Sequence, residues 1–131
     1  MNYALNKFEP HTTPSYLGRH LIAEFWGADN ISDPETVREA MVLAAKKTGA
    51  TVLGSNTHDF GEGMGVTGVV LLSESHISIH SWPELGYAAL DIFVCGNHVD
   101  PYLAIESLKE DFTPAAVEVT EHRRGTFKNA G

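Results

Sequence analysis

Apolar residues recur at two spacings along the chain, and each spacing predicts a different element. Alternating or short continuous apolar runs are typical of strands, whereas apolar residues three and four apart are typical of amphipathic helices. The predicted order is β-α-β-β-β-α-β, with freedom in the middle. The strand patterns at 66–73 and 75–82 are almost contiguous, so this order counts them as one strand, but they can also be two. The strand patterns cover 16–27, 50–60, 66–73, 75–82, 87–95 and 115–123, and the helix patterns cover 32–49 and 100–112.

The first predicted helix carries its own boundary signals. Ser32 or Asp33 can cap its start, Pro34 suits its first turn, and Gly49 ends it. One side of this helix is apolar, so we expect it to pack on a sheet. The apolar positions are Val37, Met41, Ala44 and Ala45.

This order of elements predicts an α+β fold. We expect a two-layer sandwich in which a mainly antiparallel sheet carries two helices on one face. The second face of such a sheet must be solvated or covered by a partner.

Strand alternation places several reactive side chains on that second face. Because successive side chains of a strand point to opposite faces, His80, Asp91 and Cys95 lie away from the helices, and Thr67 is a further candidate. If their strands are neighbours in register, these side chains gather there. Taken singly, each has a simpler explanation, since a lone strand histidine is usually structural or solvated and a lone cysteine usually packs as a small apolar residue.

Composition narrows the classes of partner. The 131 residues suit one domain, and the formal net charge of −8 argues against binding to nucleic acid. A single cysteine allows no intrachain disulfide, which fits a reducing compartment. The first fifteen residues lack the apolar stretch of a signal peptide, and no apolar run approaches the roughly 18 residues that a membrane helix needs. We expect a cytoplasmic protein without a membrane segment, organised as a flexible lead-in (1–15), one catalytic domain (16–123) and a tail (124–131).

Two familiar kinds of site fit the sequence poorly. His76 and His80 are four residues apart, which brings metal ligands together on a helix but separates them by roughly 13 Å on a strand. We therefore predict no metal site. The sequence around Ser75 lacks the G-x-S-x-G elbow of a hydrolase. A serine hydrolase that uses Ser75 and His80 stays an open alternative that no sequence feature favours.

One stretch closely resembles a known family. GVTGVVLLSESHISIHSWPELGYAALDIFVCG, residues 65–96, is similar to the core signature of the small prokaryotic S-adenosylmethionine decarboxylases. The resemblance extends to LGRHLIAEFWG at 17–27 and to AAKKTGATVLG at 44–54, and it covers roughly residues 17–123. The Ser-Glu-Ser-His block, the histidine five residues after its second serine, Trp-Pro-Glu and Cys-Gly are jointly specific.

The resemblance implies an enzyme made as a proenzyme. Such a chain cuts itself between Glu74 and Ser75 into a β chain, 1–74, and an α chain, 75–131. The cofactor is then a pyruvoyl group derived from Ser75, which forms a Schiff base with the α-amine of S-adenosylmethionine and accepts electrons as CO₂ leaves. The product is the aminopropyl donor for spermidine synthesis. Family members pair sheet on sheet as an αββα dimer of such units.

Catalytic roles follow from the resemblance, residue by residue. His80 matches the base of the cleavage reaction. Thr67 stands where the family carries a serine that assists this reaction, and it keeps the hydroxyl. Cys95 matches the proton donor of the decarboxylation.

Substrate-binding roles follow in the same way. Phe60 and Trp82 match aromatic positions at the adenine and sulfonium end of the substrate, since aromatic rings stack on a purine and attract a cation. Glu84 matches a carboxylate that holds the ribose hydroxyls. The segment 60–65 is one residue longer than the usual family version.

Two alternatives remain beside S-adenosylmethionine decarboxylation. A pyruvoyl-dependent arginine or ornithine decarboxylase on the same scaffold would keep Ser75, His80 and Cys95 but would not need the adenine-binding aromatics. An unprocessed, non-enzymatic homologue would stay uncut. The presence of Phe60 and Trp82 favours S-adenosylmethionine as the substrate.

Overall fold

The computed structural model describes residues 15–127 of the chain. Residues 1–14 of the predicted lead-in and residues 128–131 of the predicted tail lie outside the described residues.

Within the described part, the predicted helices and strand segments are confirmed with ends that differ by at most two residues, but the predicted order β-α-β-β-β-α-β counted one strand too few. The two almost contiguous strand patterns form two separate strands. In chain order the elements are β1 (Gly18–Trp26), α1 (Pro34–Lys47), β2 (Val52–Asp59), β3 (Val66–Leu72), β4 (Ser75–Trp82), β5 (Tyr87–Cys95), α2 (Tyr102–Phe112) and β6 (Ala116–Arg124). A short 3₁₀ turn, Pro83–Leu85, precedes β5.

The strands form one antiparallel sheet in the order β2-β3-β4-β5-β1-β6. Strands β2 to β5 are successive neighbours, whereas β1 inserts between β5 and the last strand, β6. Sequence alternation could not predict this insertion, because it says which face a residue is on but not which strand lies beside it.

The core lies between the helices and one face of the sheet. Asp33 caps α1 by accepting a hydrogen bond from the Thr36 amide at 2.9 Å. The predicted apolar stripe of α1 is fully buried, which confirms the two-layer α+β prediction. Residues that are almost fully buried in this layer include Leu21, Phe25, Val37, Met41, Ile77, Leu90, Ile92, Leu108 and Phe112.

A buried serine ties β3 to the end of β4. The Ser81 hydroxyl donates to the Ile31 carbonyl at 2.6 Å and accepts from the Val66 amide at 3.0 Å. Gly65 stands directly before this contact with a φ of 113°, and a Cβ there would lie 2.2 Å from the Ser81 carbonyl oxygen. Only glycine fits such a position, so this contact holds the β3–β4 hairpin in register.

The opposite face of the sheet is not covered by either helix, and we call it the open face. It carries alternate residues of each strand, including Ile22 and Trp26 of β1, which are 38% and 45% exposed, and Leu71 of β3, which is 53% exposed. Neither helix within residues 15–127 has the length and apolar character needed to cross a membrane.

Glu121 of β6 connects β6, β1 and α2 on the helix side. Its carboxylate accepts two hydrogen bonds from Arg19, each 3.1 Å long, and one from the Tyr102 hydroxyl at 2.7 Å. The hydrogen bonds from Arg19, followed by that from Tyr102, lower the pKa of Glu121 from about 4.5 to about 2.

Replacing Glu121 with Gln should lower the free energy of unfolding near pH 7 by about 1 kcal/mol, because the ion pair is partly solvated. A carboxyl with a depressed folded-state pKa stabilises the protein above its unfolded pKa, and this contribution disappears as the pH falls toward the folded value. In urea titrations the difference between wild type and E121Q should therefore shrink from about pH 5 downward. Glu106→Gln, at an exposed 3.5 Å pair with Lys109, is the control and should change little; a pH-independent E121Q effect would contradict the assignment.

Candidate active site

The connection between β3 and β4 is a two-residue turn under backbone strain. Leu72 pairs directly with Ser75, so Ser73 and Glu74 make the whole turn. Glu74 has a φ of 64°. A glutamate in this left-handed region is disfavoured by roughly 1–2 kcal/mol, and glycine or asparagine is the usual occupant. The peptide bond between Glu74 and Ser75 is therefore held at a strained point of the backbone.

Strand pairing brings Ser75 next to Cys95. The Cys95 amide donates a hydrogen bond to the Ser75 Oγ at 3.0 Å. Both side chains are half-buried. The serine hydroxyl is thus oriented at the first residue of β4, directly after the carbonyl of Glu74.

A cleft of about 510 Å³ opens beside this turn. It is large enough for a small molecule, and it brings the strained turn and the cysteine to one space. Its walls are Leu17, Ala50, Thr51, Ser73, Glu74, Cys95, Gly96, Asn97, His98 and Val99.

A second cluster lies on the open face, at the opposite end of β4 from Ser75. Thr67 of β3 pairs directly with His80 of β4. The His80 ring stacks on Trp82, with centroids 3.9 Å apart and planes at 14°. Phe60 lies 5.9 Å from the His80 ring and is 50% exposed. These four side chains form one surface of rings and a hydroxyl.

The ring stack continues across the sheet beyond Trp82. Tyr87 stacks on Trp82 at 5.3 Å and on Trp26 at 4.3 Å. The Tyr87 hydroxyl donates to the Glu24 carboxylate. Burial, followed by this hydrogen bond, raises the pKa of Tyr87 to about 12. Sequence reasoning did not single out Trp26, Glu24 or Tyr87 for this contact, because it depends on β1 lying beside β5.

The expected gathering of reactive side chains is only partly right. Thr67, His80, Asp91 and Cys95 do share the open face, but His80 pairs with Ala89, six residues from Cys95 on β5. Six strand residues span about 20 Å. Along β4 itself, five residues separate Ser75 from His80, or about 17 Å. Antiparallel register thus divides the predicted site into a Ser75–Cys95 end and a Thr67–His80 end.

Between the two ends lies a polar contact that sequence reasoning missed. The His20 Nε2 is 3.0 Å from one oxygen of Asp91, and the Ser78 hydroxyl donates to the other oxygen at 3.3 Å. Leu21 of β1 is buried, so strand alternation predicts that its neighbour His20 lies on the open face. Only the pairing of β1 with β5 shows that His20 lies beside Asp91.

Glu84 is exposed in the 3₁₀ turn, two residues after Trp82. Among residues 15–127, no group of three or more His, Cys, Asp or Glu side chains is arranged so as to hold a metal ion.

Comparison with known proteins identifies close relatives of this architecture. The family model described as S-adenosylmethionine decarboxylase matches residues 19–125. A protein of Fervidobacterium nodosum named S-adenosylmethionine decarboxylase proenzyme is 47% identical over 117 residues, which is 88% of this chain and 85% of that protein. A protein of the same name from Methanococcus maripaludis is 47% identical over 114 residues, covering 86% and 93% of the two chains.

A solved structure gives the same result. The crystal structure of the adenosylmethionine decarboxylase from Aquifex aeolicus is similar with a TM-score of 0.80 and 34% sequence identity. The match covers 90% of this chain and 98% of that chain.

The strain at Glu74 can be measured directly. In chains kept uncut by Ser75→Ala, Glu74→Gly should raise the free energy of unfolding by about 0.5–1 kcal/mol, because relief of the left-handed conformation outweighs the greater flexibility of unfolded glycine. Ser73→Gly in the same background is the control. Ser73 does not have a positive φ, so its replacement should lower stability. Thermal and urea unfolding would measure both effects, and an E74G chain no more stable than its parent would refute the strain.

Proposed function

The chain belongs to the S-adenosylmethionine decarboxylase family, and on that premise we propose that it decarboxylates S-adenosylmethionine after cutting itself between Glu74 and Ser75. The observation that carries this proposal is the turn itself, where a serine follows a strained Glu74 and its hydroxyl is oriented by the Cys95 amide at 3.0 Å. The product would be the aminopropyl donor for spermidine synthesis. The comparisons give no support to the arginine or ornithine alternative or to an unprocessed homologue.

The geometry of the turn suits an internal cleavage. The Ser75 Oγ attacks the carbonyl carbon of Glu74, and the peptide bond becomes an ester as the amide nitrogen takes up a proton. A base then removes the Cα proton of residue 75, and the ester C–O bond breaks. Glu74 leaves as the carboxylate end of the β chain, and water converts the remaining dehydroalanine into a pyruvoyl group and ammonia. Release of the strain at Glu74 favours the first step.

The residues present fit a pyruvoyl group at position 75. When formed, this group would supply a ketone carbonyl that serves as the electron sink for decarboxylation. The cleft beside Cys95 provides space for the amino acid portion of the substrate. We assign to the Cys95 thiol the proton that the substrate α-carbon receives after CO₂ leaves.

The aromatic end of the open face suits the rest of the substrate. Trp82 and Phe60 offer ring faces to a purine and to the sulfonium charge. Glu84, exposed next to Trp82, can accept hydrogen bonds from ribose hydroxyls. These assignments account for two half-exposed ring systems on a surface that neither helix covers.

The distance between the two ends favours a site that is shared between two copies of the chain. His80 and Thr67 lie about 17 Å or more from Ser75 along the same sheet, which is too far for a proton transfer. We propose that two copies stack open face on open face, as an αββα dimer, so that His80 of the partner subunit serves Ser75. Each site would then draw on both copies.

Substrate trapping tests the proposed activity. The purified protein should show two masses that correspond to a cut between Glu74 and Ser75, with pyruvoyl at the start of the second fragment. Incubation with S-adenosylmethionine and borohydride should add the mass of the substrate without its carboxyl group, or of the whole substrate, to residues 75–131. Ser75→Ala is the control and should stay uncut. An uncut wild-type chain, or labelling by arginine or ornithine in place of S-adenosylmethionine, would contradict the proposal.

Coexpression of two inactive variants tests the shared site. His80→Ala alone and Ser75→Ala alone should both remain uncut. When they are coexpressed with tags of different mass, the His80→Ala chain should be cut, because its Ser75 meets His80 of the partner subunit, whereas the Ser75→Ala chain cannot be cut. Cleavage of neither chain in a purified mixed dimer would show that Ser75 and His80 act within one copy or not at all.

A further inference from the structure

His58 lies in the same row of the open face as two residues of the proposed cleavage reaction. It stands on β2 and pairs directly with Thr67 of β3, which in turn pairs directly with His80 of β4. Directly paired residues point to the same face of a sheet, so the His58 side chain lies on the open face with the other two. Phe60 follows His58 by two residues and contacts both imidazoles of this row.

The contact between Phe60 and His58 is the closer of its two ring contacts. The two centroids are 4.9 Å apart with planes at 68°, which is an edge-to-face arrangement. The Phe60 and His80 centroids are 5.9 Å apart with planes at 33°. Aromatic pairs favour edge-to-face or offset geometry at centroid separations of about 4.5–7 Å. The orientation of the Phe60 ring therefore depends chiefly on His58.

The chain that follows Phe60 fixes its backbone but leaves its ring open to solvent. The Phe60 amide donates to the Gly65 carbonyl at 3.0 Å and closes the loop. Inside the loop the Met64 amide donates to the Gly61 carbonyl at 2.9 Å, so the intervening residues form a turn of their own. A Cβ at Gly63 would meet no atom within 4 Å, which shows that this turn projects into solvent. The Phe60 ring is 50% exposed, so it can turn away unless its neighbours hold it.

We infer that His58 is a positioning residue of the substrate site, and this rests on the proposed function, in which Phe60 meets the adenine and sulfonium end of S-adenosylmethionine. The edge-to-face contact with His58 holds the Phe60 ring in the orientation in which it receives the substrate. Without His58, Phe60 keeps only the longer contact with His80. An aromatic pair of this kind changes the population of a held ring by about two- to twelvefold.

A direct part for His58 in the cleavage is disfavoured by its place in the sheet. One strand, β3, separates it from His80, and two strand spacings amount to roughly 10 Å. Proton transfer needs heavy atoms about 3 Å apart or one bridging water. If His80 serves Ser75 as the base, His58 is too far away to reach the same proton. Its effect should therefore appear in substrate binding alone.

Steady-state kinetics separates positioning from catalysis. His58→Ala should raise the KM for S-adenosylmethionine about two- to tenfold and change kcat less than about twofold, because the reacting groups are untouched. His58→Phe restores a ring and should return KM to within about twofold of wild type, whereas His58→Leu, which has bulk but no ring, should not. Asn56→Ala is the matched control, since Asn56 is exposed on the same face of β2, and it should change neither constant. An unchanged KM in His58→Ala, or full rescue by leucine, would overturn the inference.

Two measurements distinguish a failure of this inference from a failure of the proposed activity. The His58→Ala chain should be cut between Glu74 and Ser75 as completely as wild type, and an uncut chain would overturn a role limited to binding. The second uses 4-fluorophenylalanine at the six phenylalanines, with the Phe60 fluorine resonance assigned by Phe60→Leu. In His58→Ala this resonance should move toward its position in the urea-unfolded chain, and in Asn56→Ala it should stay. An unmoved resonance would overturn the inference on any substrate, whereas a wild-type enzyme without turnover of S-adenosylmethionine would contradict the proposed function.

Discussion

The register of six antiparallel strands is the constraint on which the rest of this molecule depends. A slip of one residue in any strand would turn its buried side chains to the open face and its functional ones into the core. Gly65 and Ser81 hold β3 against the end of β4, where a Cβ at position 65 would lie 2.2 Å from a carbonyl oxygen. This contact keeps Thr67 opposite His80 and Leu72 opposite Ser75. The length of the β3–β4 turn follows from the same register, since only Ser73 and Glu74 are left to make it.

That short turn connects folding to the proposed chemistry. The packing of β3 and β4 forces Glu74 into a left-handed conformation that the residue itself disfavours. This backbone strain lies next to the bond that the proposed maturation breaks. The burial of the apolar side chains of the hairpin stabilises the strained conformation. The hydroxyl that would attack this bond is oriented by a neighbouring strand, through the Cys95 amide. The packing of β3 against β4 therefore accounts both for the stability of this part of the sheet and for the proposed reactivity of the turn.

The open face differs from the rest of the sheet, because neither helix covers it. Its Phe60 ring is 50% exposed, and Ser75 and His80 lie about 17 Å apart along β4. Each of these features is accounted for if a second copy turns its own open face toward the first. Ile22, which is 38% exposed on this face, would contribute an apolar contact to such a pairing.

The sequence by itself determined the elements and the face of each side chain, because apolar periodicity depends only on the local geometry of helices and strands. It also indicated the family, through a block of residues whose joint pattern is specific. Only the tertiary structure decided which strands are neighbours. The insertion of β1 between β5 and β6 brings His20 to Asp91 and Glu24 to Tyr87. Register likewise separated His80 from Cys95, which alternation alone had placed together, because alternation gives the face of a residue but not its height along the sheet.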